Sequence, residues 1–218
     1  MDDISQKISR TIWIGVALVI VILCVAFVLA RLPPRLAPKP ALPVIGQVAD
    51  FALTNQTGQS ASLADLRGRV WVADIIFTRC PGPCARMSRQ MAALQGALSA
   101  ASQAKLVSLT TDPDFDTPEV LEKYAARFGA DPERWTFLTG TKKAIAALAT
   151  DSLKLTAIEK DAAARENPDD LFIHSTIFVV VDRQARLRAV FETGGDGIEW
   201  TNVQSEILAT IRHLESEP

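Results

Sequence analysis

The stretch from Arg69 to Met91, RVWVADIIFTRCPGPCARMSRQM, does most to limit what this chain can become. Val70 to Phe77 is an apolar, β-branched run ending at a turn, which is how a strand buried on both faces reads. From Pro83 onward Met87, Met91, Leu94 and Leu98 recur at helical spacing. Cys80 and Cys84 fall between the two, in the loop that opens the helix. Helix N-terminal amides and the helix dipole favour negative charge, so a thiolate is expected to be stabilised there. Lys105 to Thr110, KLVSLT, supplies a second short strand and so a βαβ unit with parallel pairing.

The flanking segments fit the same architecture. Phe51 and Leu53 alternate with polar neighbours, Asn55 to Gly58 reads as a turn, and Ser60 to Leu66 reads as a return strand and a short helical turn closed by Gly68. Thr117 before Pro118 predicts a helix start, and Gly129 its stop. Trp135 to Leu138 is a short extended piece, and Thr141 to Thr150 reads as a helix. Residues 159–170, EKDAAARENPDD, are polar and predict an exposed loop. Phe172 to Val181 reads as one strand, paired with Arg186 to Phe191 across Asp182–Ala185, before an amphipathic helix from Ile198 to Leu214. Strands alternating with helices and ending in a hairpin predict an α/β sandwich around a central mixed sheet.

Ahead of this domain, Ile12 to Ala30 is 19 residues without a charge, long enough to cross a bilayer as a helix. A cleaved signal would have a shorter apolar core and a more basic lead, and a lipoprotein signal would want a small residue where Leu23 precedes Cys24. The run therefore reads as an uncleaved anchor. Lys7 and Arg10 before it and Arg31, Arg35 and Lys39 after it leave the orientation open on charge alone. Residues 31–43 hold five prolines and three basic side chains, a semi-rigid spacer. The organisation expected is a short tail over 1–11, a transmembrane anchor over 12–30, a Pro-rich linker over 31–47 and a folded domain over 48–218. With no transit peptide ahead of the anchor, a bacterial cytoplasmic membrane is favoured over an organelle. A net charge of only −2 gives no electrostatic footprint for nucleic acid.

Three cysteines are too few for a disulfide framework. Cys24 reads as a small apolar residue in lipid. Cys80 and Cys84 favour metal or redox chemistry over an inert disulfide, since closing so small a loop removes little chain entropy. His174 stands at the entry to a predicted buried strand, although a lone histidine there is by itself more often packed or exposed than ligating. His213 reads as a solvated side chain. Met87 and Met91 suit a core stripe better than thioether ligands. Asp112, Asp114 and Asp116 suit turns and a helix start, with Asp112 equally suited to steering a metal or a partner. Arg79 and Arg86 flank the thiols, where they would either lower a thiol pKa, receive an acidic partner or simply be exposed.

With these residues in place, the chain resembles the SCO (SenC) family of membrane-anchored, thioredoxin-like proteins involved in building the copper centre of cytochrome oxidase. The resemblance rests on VADFALTNQTGQSASLADLRGR, IIFTRCPGPC, TTDPDFDTPEVLEKYAARFG, WTFLTG and the histidine of HSTIFVVVD, in family order from Val48 onward. It implies a thioredoxin-like fold and a Cu(I)/Cu(II) site made by Cys80, Cys84 and His174. It also implies a single-pass protein of the bacterial inner membrane whose domain faces the periplasm. The role implied is that of a metallochaperone that takes copper from a donor protein and delivers it to, or prepares the thiols of, the copper centre of a cytochrome c oxidase subunit, with enzymatic activity as a thiol–disulfide reductase left open. Arg79 before the first cysteine and Ala85 after the second depart from the family pattern and bear on loop shape and partner surface. Gly82-Pro83-Cys84 is shared with redox thioredoxins, so a membrane-anchored thiol–disulfide oxidoreductase using Cys80 and Cys84 is the alternative.

Overall fold

The computed structural model describes residues 2–31, 41–165 and 171–217, and the chain divides into two compact units, Met1–Ala41 and Leu42–Pro218. The first unit is helix α1, Asp2–Arg31, which runs through both the polar lead and the apolar run. Among the described residues no helix is long and apolar enough to cross a membrane.

In the second unit the chain forms β1 (Gly46–Gln47), β2 (Ala52–Asn55), β3 (Ser60–Ser62), α2 (Leu63–Leu66), β4 (Trp71–Ile76), α3 (Cys84–Ala97), β5 (Lys105–Thr110), α4 (Pro118–Arg127) and β6 (Trp135–Thr139). Helix α5 (Lys142–Ala146) runs on as a π-helical turn over Ala147–Ser152, followed by β7 (Ala157–Glu159), β8 (Phe172–His174), β9 (Ile177–Val181), β10 (Arg186–Glu192) and α6 (Trp200–Ser216). The main sheet has the order β1-β10-β9-β4-β5-β6-β2-β3, with β4, β5 and β6 parallel and the remaining pairs antiparallel.

Strand β4 is buried along its whole length, as the apolar run predicts, and its alternating side chains serve two cores. Val72 and Ile76 face a layer with Met87, Met91 and Leu94 of α3, Leu121 and Tyr124 of α4, and Ile207, Ile211 and Leu214 of α6. Trp71, Ala73 and Ile75 face the other layer, with Leu63, Leu66, Ile145, Leu148 and Ala149. Met87, Met91 and Leu94 are fully buried, each contributing about 1.5–3 kcal/mol. The methionine stripe is thus core. Thr117 caps α4, accepting the Val120 amide at 3.4 Å, and Gly129 adopts φ 66° just beyond the helix, a left-handed stop.

Three expectations are corrected. The helix read to Thr150 widens into π geometry from Ala147, with Leu153 N bonded to Leu148 O at 3.0 Å. The 159–170 stretch is not wholly loop at its start, because β7 ends at Glu159 and pairs with β8; residues 166–170 lie outside the described residues. The single strand read over Phe172–Val181 breaks at Ser175–Thr176. There the backbone leaves the main sheet, with Ser175 N donating to Thr156 O at 2.9 Å and Thr156 N to Ser175 Oγ at 3.2 Å. The Ser175 hydroxyl accepts an amide at the crossover, which an aliphatic side chain could not do.

Candidate metal centre

Ligand chemistry in parallel sheets gathers beyond the carboxyl ends of the strands. Here three segments reach that end. The cysteine loop leaves β4 after Ile76, the TDPDFD segment leaves β5 after Thr110, and the start of β9 arrives there because β9 is antiparallel to β4. The ring of Phe77, just past β4, meets that of Phe172 in β8 edge-on at 5.2 Å. His174 closes β8, its backbone opposite Ala157 of β7. The His174 side chain lies outside the described residues. Among those described, no three His, Cys, Asp or Glu side chains are grouped to hold a metal ion.

Cys80 and Cys84 are both reduced thiols, not a disulfide, and their side chains are hydrogen-bonded to each other. Cys80 is half-buried in the loop, whereas Cys84, the first residue of α3, is 1% exposed and packs with Phe77 and Met87. The Phe77 amide donates to Cys84 Sγ at 3.4 Å. Burial pushes the Cys84 thiol well above its ordinary range; its neighbour Cys80 pushes the same way, and only the Phe77 amide opposes them. The sequence-based expectation that the helix start would lower this thiol is therefore corrected, because desolvation outweighs the dipole at so buried a sulfur. A soft cation removes that difficulty by taking the place of the proton, and two adjacent sulfurs are a donor set that fits Cu(I).

The aspartates behind the loop have separate tasks. Asp116 is fully buried and accepts from the Thr78 amide at 3.1 Å and from the hydroxyls of Thr78 and Thr110. Burial pushes its carboxyl above the ordinary range while these donors pull it back. Asp112 takes Arg79 Nη2 at 2.6 Å, and the guanidinium lies 4.1 Å over the ring of Phe115. Asp114 pairs with Lys142 at the surface. Arg79 is thus turned to Asp112 and Phe115, and Arg86 is exposed with its guanidinium against Gly194. Asp116 does more than the turn role its sequence suggests, since it fastens the backbone two residues before Cys80. Asp116→Asn puts an N–H donor among donors and is expected to cost about 1–3 kcal/mol. The check is a lower denaturant midpoint at unchanged slope.

His213, read from sequence as solvated, is largely covered and lies 3.3 Å from Glu217. Gln90 and Thr193, both buried, enter the site's framework with no sequence signal to announce them: a glutamine in an amphipathic helix and a threonine after a strand have no distinguishing pattern.

A mixed sheet with helices on both faces and a paired-thiol loop at the carboxyl end of a central parallel strand defines a thioredoxin-like protein with a dithiol centre. The family model described as SCO1/SenC matches residues 44–209, and the chain belongs to this family. The SCO1 protein homolog of Bacillus subtilis is 36% identical over 141 residues, 64% of this chain and 70% of the relative. The solved structure of BsSco, described as a member of the Sco family of cytochrome c oxidase assembly proteins with a disulfide switch, is similar with a TM-score of 0.66. It is 26% identical over 81% of this chain and 99% of its own. Copper-bound yeast Sco1 shares the fold with a TM-score of 0.63 at 21% identity, over 81% of this chain and 91% of its own.

Proposed function

We propose that this chain is a copper-binding assembly factor. It takes copper from a donor protein, holds it between Cys80, Cys84 and His174, and hands it by ligand exchange to the copper-bearing subunit of a cytochrome c oxidase. The observation that carries this reading is the contact between two reduced thiols, one half-exposed and one buried, at the sheet end that the His174 backbone also reaches. Thiolates favour Cu(I), and a borderline imidazole beside them extends the site to Cu(II). The half-exposed Cys80 is the ligand a partner thiol reaches first, so transfer begins there. Membership of a family that includes oxidase assembly proteins, and copper in a protein of the same fold, support the cargo and its destination.

Helix α1 supports anchoring. Its large apolar side chains are between 43% and 70% exposed and are distributed around the helix, as in a span that meets lipid on every side. The reading places the Leu42–Pro218 unit on the periplasmic side of a bacterial inner membrane, where a reduced dithiol is open to both copper and oxidation.

The second reading is a thiol–disulfide oxidoreductase, favoured by the unequal burial of the thiols and by the disulfide switch described for BsSco. In it the Cys80 thiolate attacks a target disulfide, expelling one target thiolate. Cys84 then attacks the Cys80 sulfur, leaving the target reduced and the pair oxidised. One experiment separates the two readings. The reduced full chain in detergent is titrated with Cu(I) against a chromophoric chelator, alongside His174→Ala and a pre-oxidised sample. One ion per chain, weakened by His174→Ala and absent after oxidation, supports the chaperone. Weak copper uptake beside rapid reduction of insulin disulfides overturns it in favour of the oxidoreductase.

A further inference from the structure

The candidate ligands sit on elements that strand pairing does not join. Cys84 opens α3, whereas His174 ends β8, which among the described residues pairs with β7 alone in a separate two-stranded sheet. The connection between them runs through Thr193, just beyond β10. Thr193 is 2% exposed; its amide donates to Thr176 O at 2.8 Å and its hydroxyl donates to the same carbonyl at 2.7 Å. Both lone pairs of one half-buried carbonyl, two residues from His174, are thereby taken by a single residue. The carbonyl of Thr193 in turn accepts from Gln90 Nε2 at 2.9 Å, and Gln90 is buried on α3, the helix that Cys84 opens. The next residue keeps the crossing thin, since a Cβ on Gly194 would stand 3.3 Å from Thr176 Cβ and would run into the Arg86 guanidinium. A continuous bridge thus joins the thiol-bearing helix to the backbone that carries the histidine.

We propose that Gln90 and Thr193 are positioning residues for the metal centre, setting the place of the His174 backbone relative to Cys84 so that the imidazole completes the copper site. This rests on the reading of His174 as a ligand. Phe172, on the same strand as His174, packs on Phe77, and the Thr193 bridge adds a hydrogen-bonded hold on the backbone just after the histidine. Partners behind a metal ligand commonly govern affinity by about 10–100-fold. The thiolates supply most of the hold on Cu(I) and the imidazole weighs more in the hold on Cu(II), so the two oxidation states respond unequally.

The test uses the full chain in detergent, reduced and loaded with Cu(I) or Cu(II), for the parent, Thr193→Val, Thr193→Ser and Gln90→Leu. Thr193→Val keeps the shape and removes the hydroxyl, Thr193→Ser restores it, and Gln90→Leu removes the donor. Thr193→Val and Gln90→Leu are each expected to weaken Cu(II) by about 10–100-fold and to diminish the imidazole-nitrogen coupling in the Cu(II) electron-spin spectrum. Cu(I) remains at one ion per chain, and Thr193→Ser matches the parent. In a His174→Ala background, Thr193→Val is expected to change Cu(II) affinity by less than about twofold, because the group it positions is gone. A merely structural threonine would act equally in both backgrounds, and that result overturns the proposal, as does a parent-like Cu(II) spectrum and affinity in both Thr193→Val and Gln90→Leu. Parent protein that takes up no copper sinks the reading of the site itself. Parent protein that binds normally beside parent-like variants sinks the positioning role alone.

Discussion

Cys84→Ser is expected to abolish stoichiometric Cu(I) binding and to destabilise the fold, whereas Cys80→Ser is expected to abolish binding and leave stability almost unchanged. The shared loss follows from softness: an alcohol oxygen neither deprotonates readily nor suits Cu(I), so losing either sulfur exceeds the about 10–100-fold that changes behind a ligand produce. The difference follows from burial. Cys84 is 1% exposed among apolar side chains, and its acceptor contact with the Phe77 amide, at 3.4 Å, has a length suited to sulfur. An oxygen on the shorter C–O bond falls outside the 2.7–3.2 Å of a good N–H···O bond, leaving a buried hydroxyl poorly paired at about 1–3 kcal/mol. Cys80 is half-buried, where an isosteric change is worth within about 0.5 kcal/mol. Chelator competition and urea midpoints on the same samples read both effects. One Cu(I) held by Cys84→Ser at parental affinity contradicts the proposed centre.

The framework of this fold was largely legible because its strongest patterns are local. The apolar run became β4, KLVSLT became β5 within the same bounds, and Thr117-Pro118 opened α4. Each answers to periodicity or to cap chemistry within a few residues. The pairing of Cys80 and Cys84 at the head of α3 was equally local. What the sequence misread depends on distant partners. Nothing in Phe172–Val181 distinguishes a continuous strand from two, because the break at Ser175–Thr176 is decided by Thr156 on one side and Thr193 on the other. The raised Cys84 thiol has the same origin. A helix start is visible in the sequence, but the desolvation that overrides it comes from Met87 and from Phe77, which is itself packed on Phe172. Asp116 looked like one of three turn-forming aspartates, and only its contact with Thr78 reveals it as an anchor of the cysteine loop.

The largest effect on stability is expected at Arg188, far in sequence from the thiols and unmarked by any motif. Its guanidinium is 2% exposed, and its nitrogens are used throughout. Nε donates to Pro43 O at 3.1 Å, Nη2 to Leu42 O at 2.6 Å and Glu217 Oε1 at 3.0 Å, and Nη1 to Asp182 Oδ2 at 2.7 Å and Glu217 Oε2 at 2.8 Å. One side chain thus fastens the segment entering the domain, the β9–β10 turn and the end of α6. Arg188→Met leaves two carbonyls and a buried carboxylate without this partner. Breaking a buried pair from one side costs about 3–5 kcal/mol, and the lower end applies because Arg186 Nε still holds Asp182 at 2.7 Å. The carboxylates add a pH signature. Burial works to raise Asp182, but hydrogen bonds from the Arg186 amide and the Arg188 and Arg186 side chains outweigh it and hold the carboxyl below its usual range; Arg188 does the same for Glu217. Carboxyls depressed on folding add stability that is full above their unfolded values, about 3.9–4.3, and is lost as pH falls through the lower folded ones. Urea midpoints of the parent should therefore fall on acidification below about pH 4, and Arg188→Met should flatten that limb while lowering the neutral-pH plateau. Loss of Arg188 also releases the Leu42 and Pro43 carbonyls, and because the bonds to β10 begin at Ile45, limited proteolysis should cut the variant between Leu42 and Ile45 well before the parent. A plateau and an acid limb matching the parent's show that the cluster is merely neutral, its attraction cancelled by the cost of burying the charges.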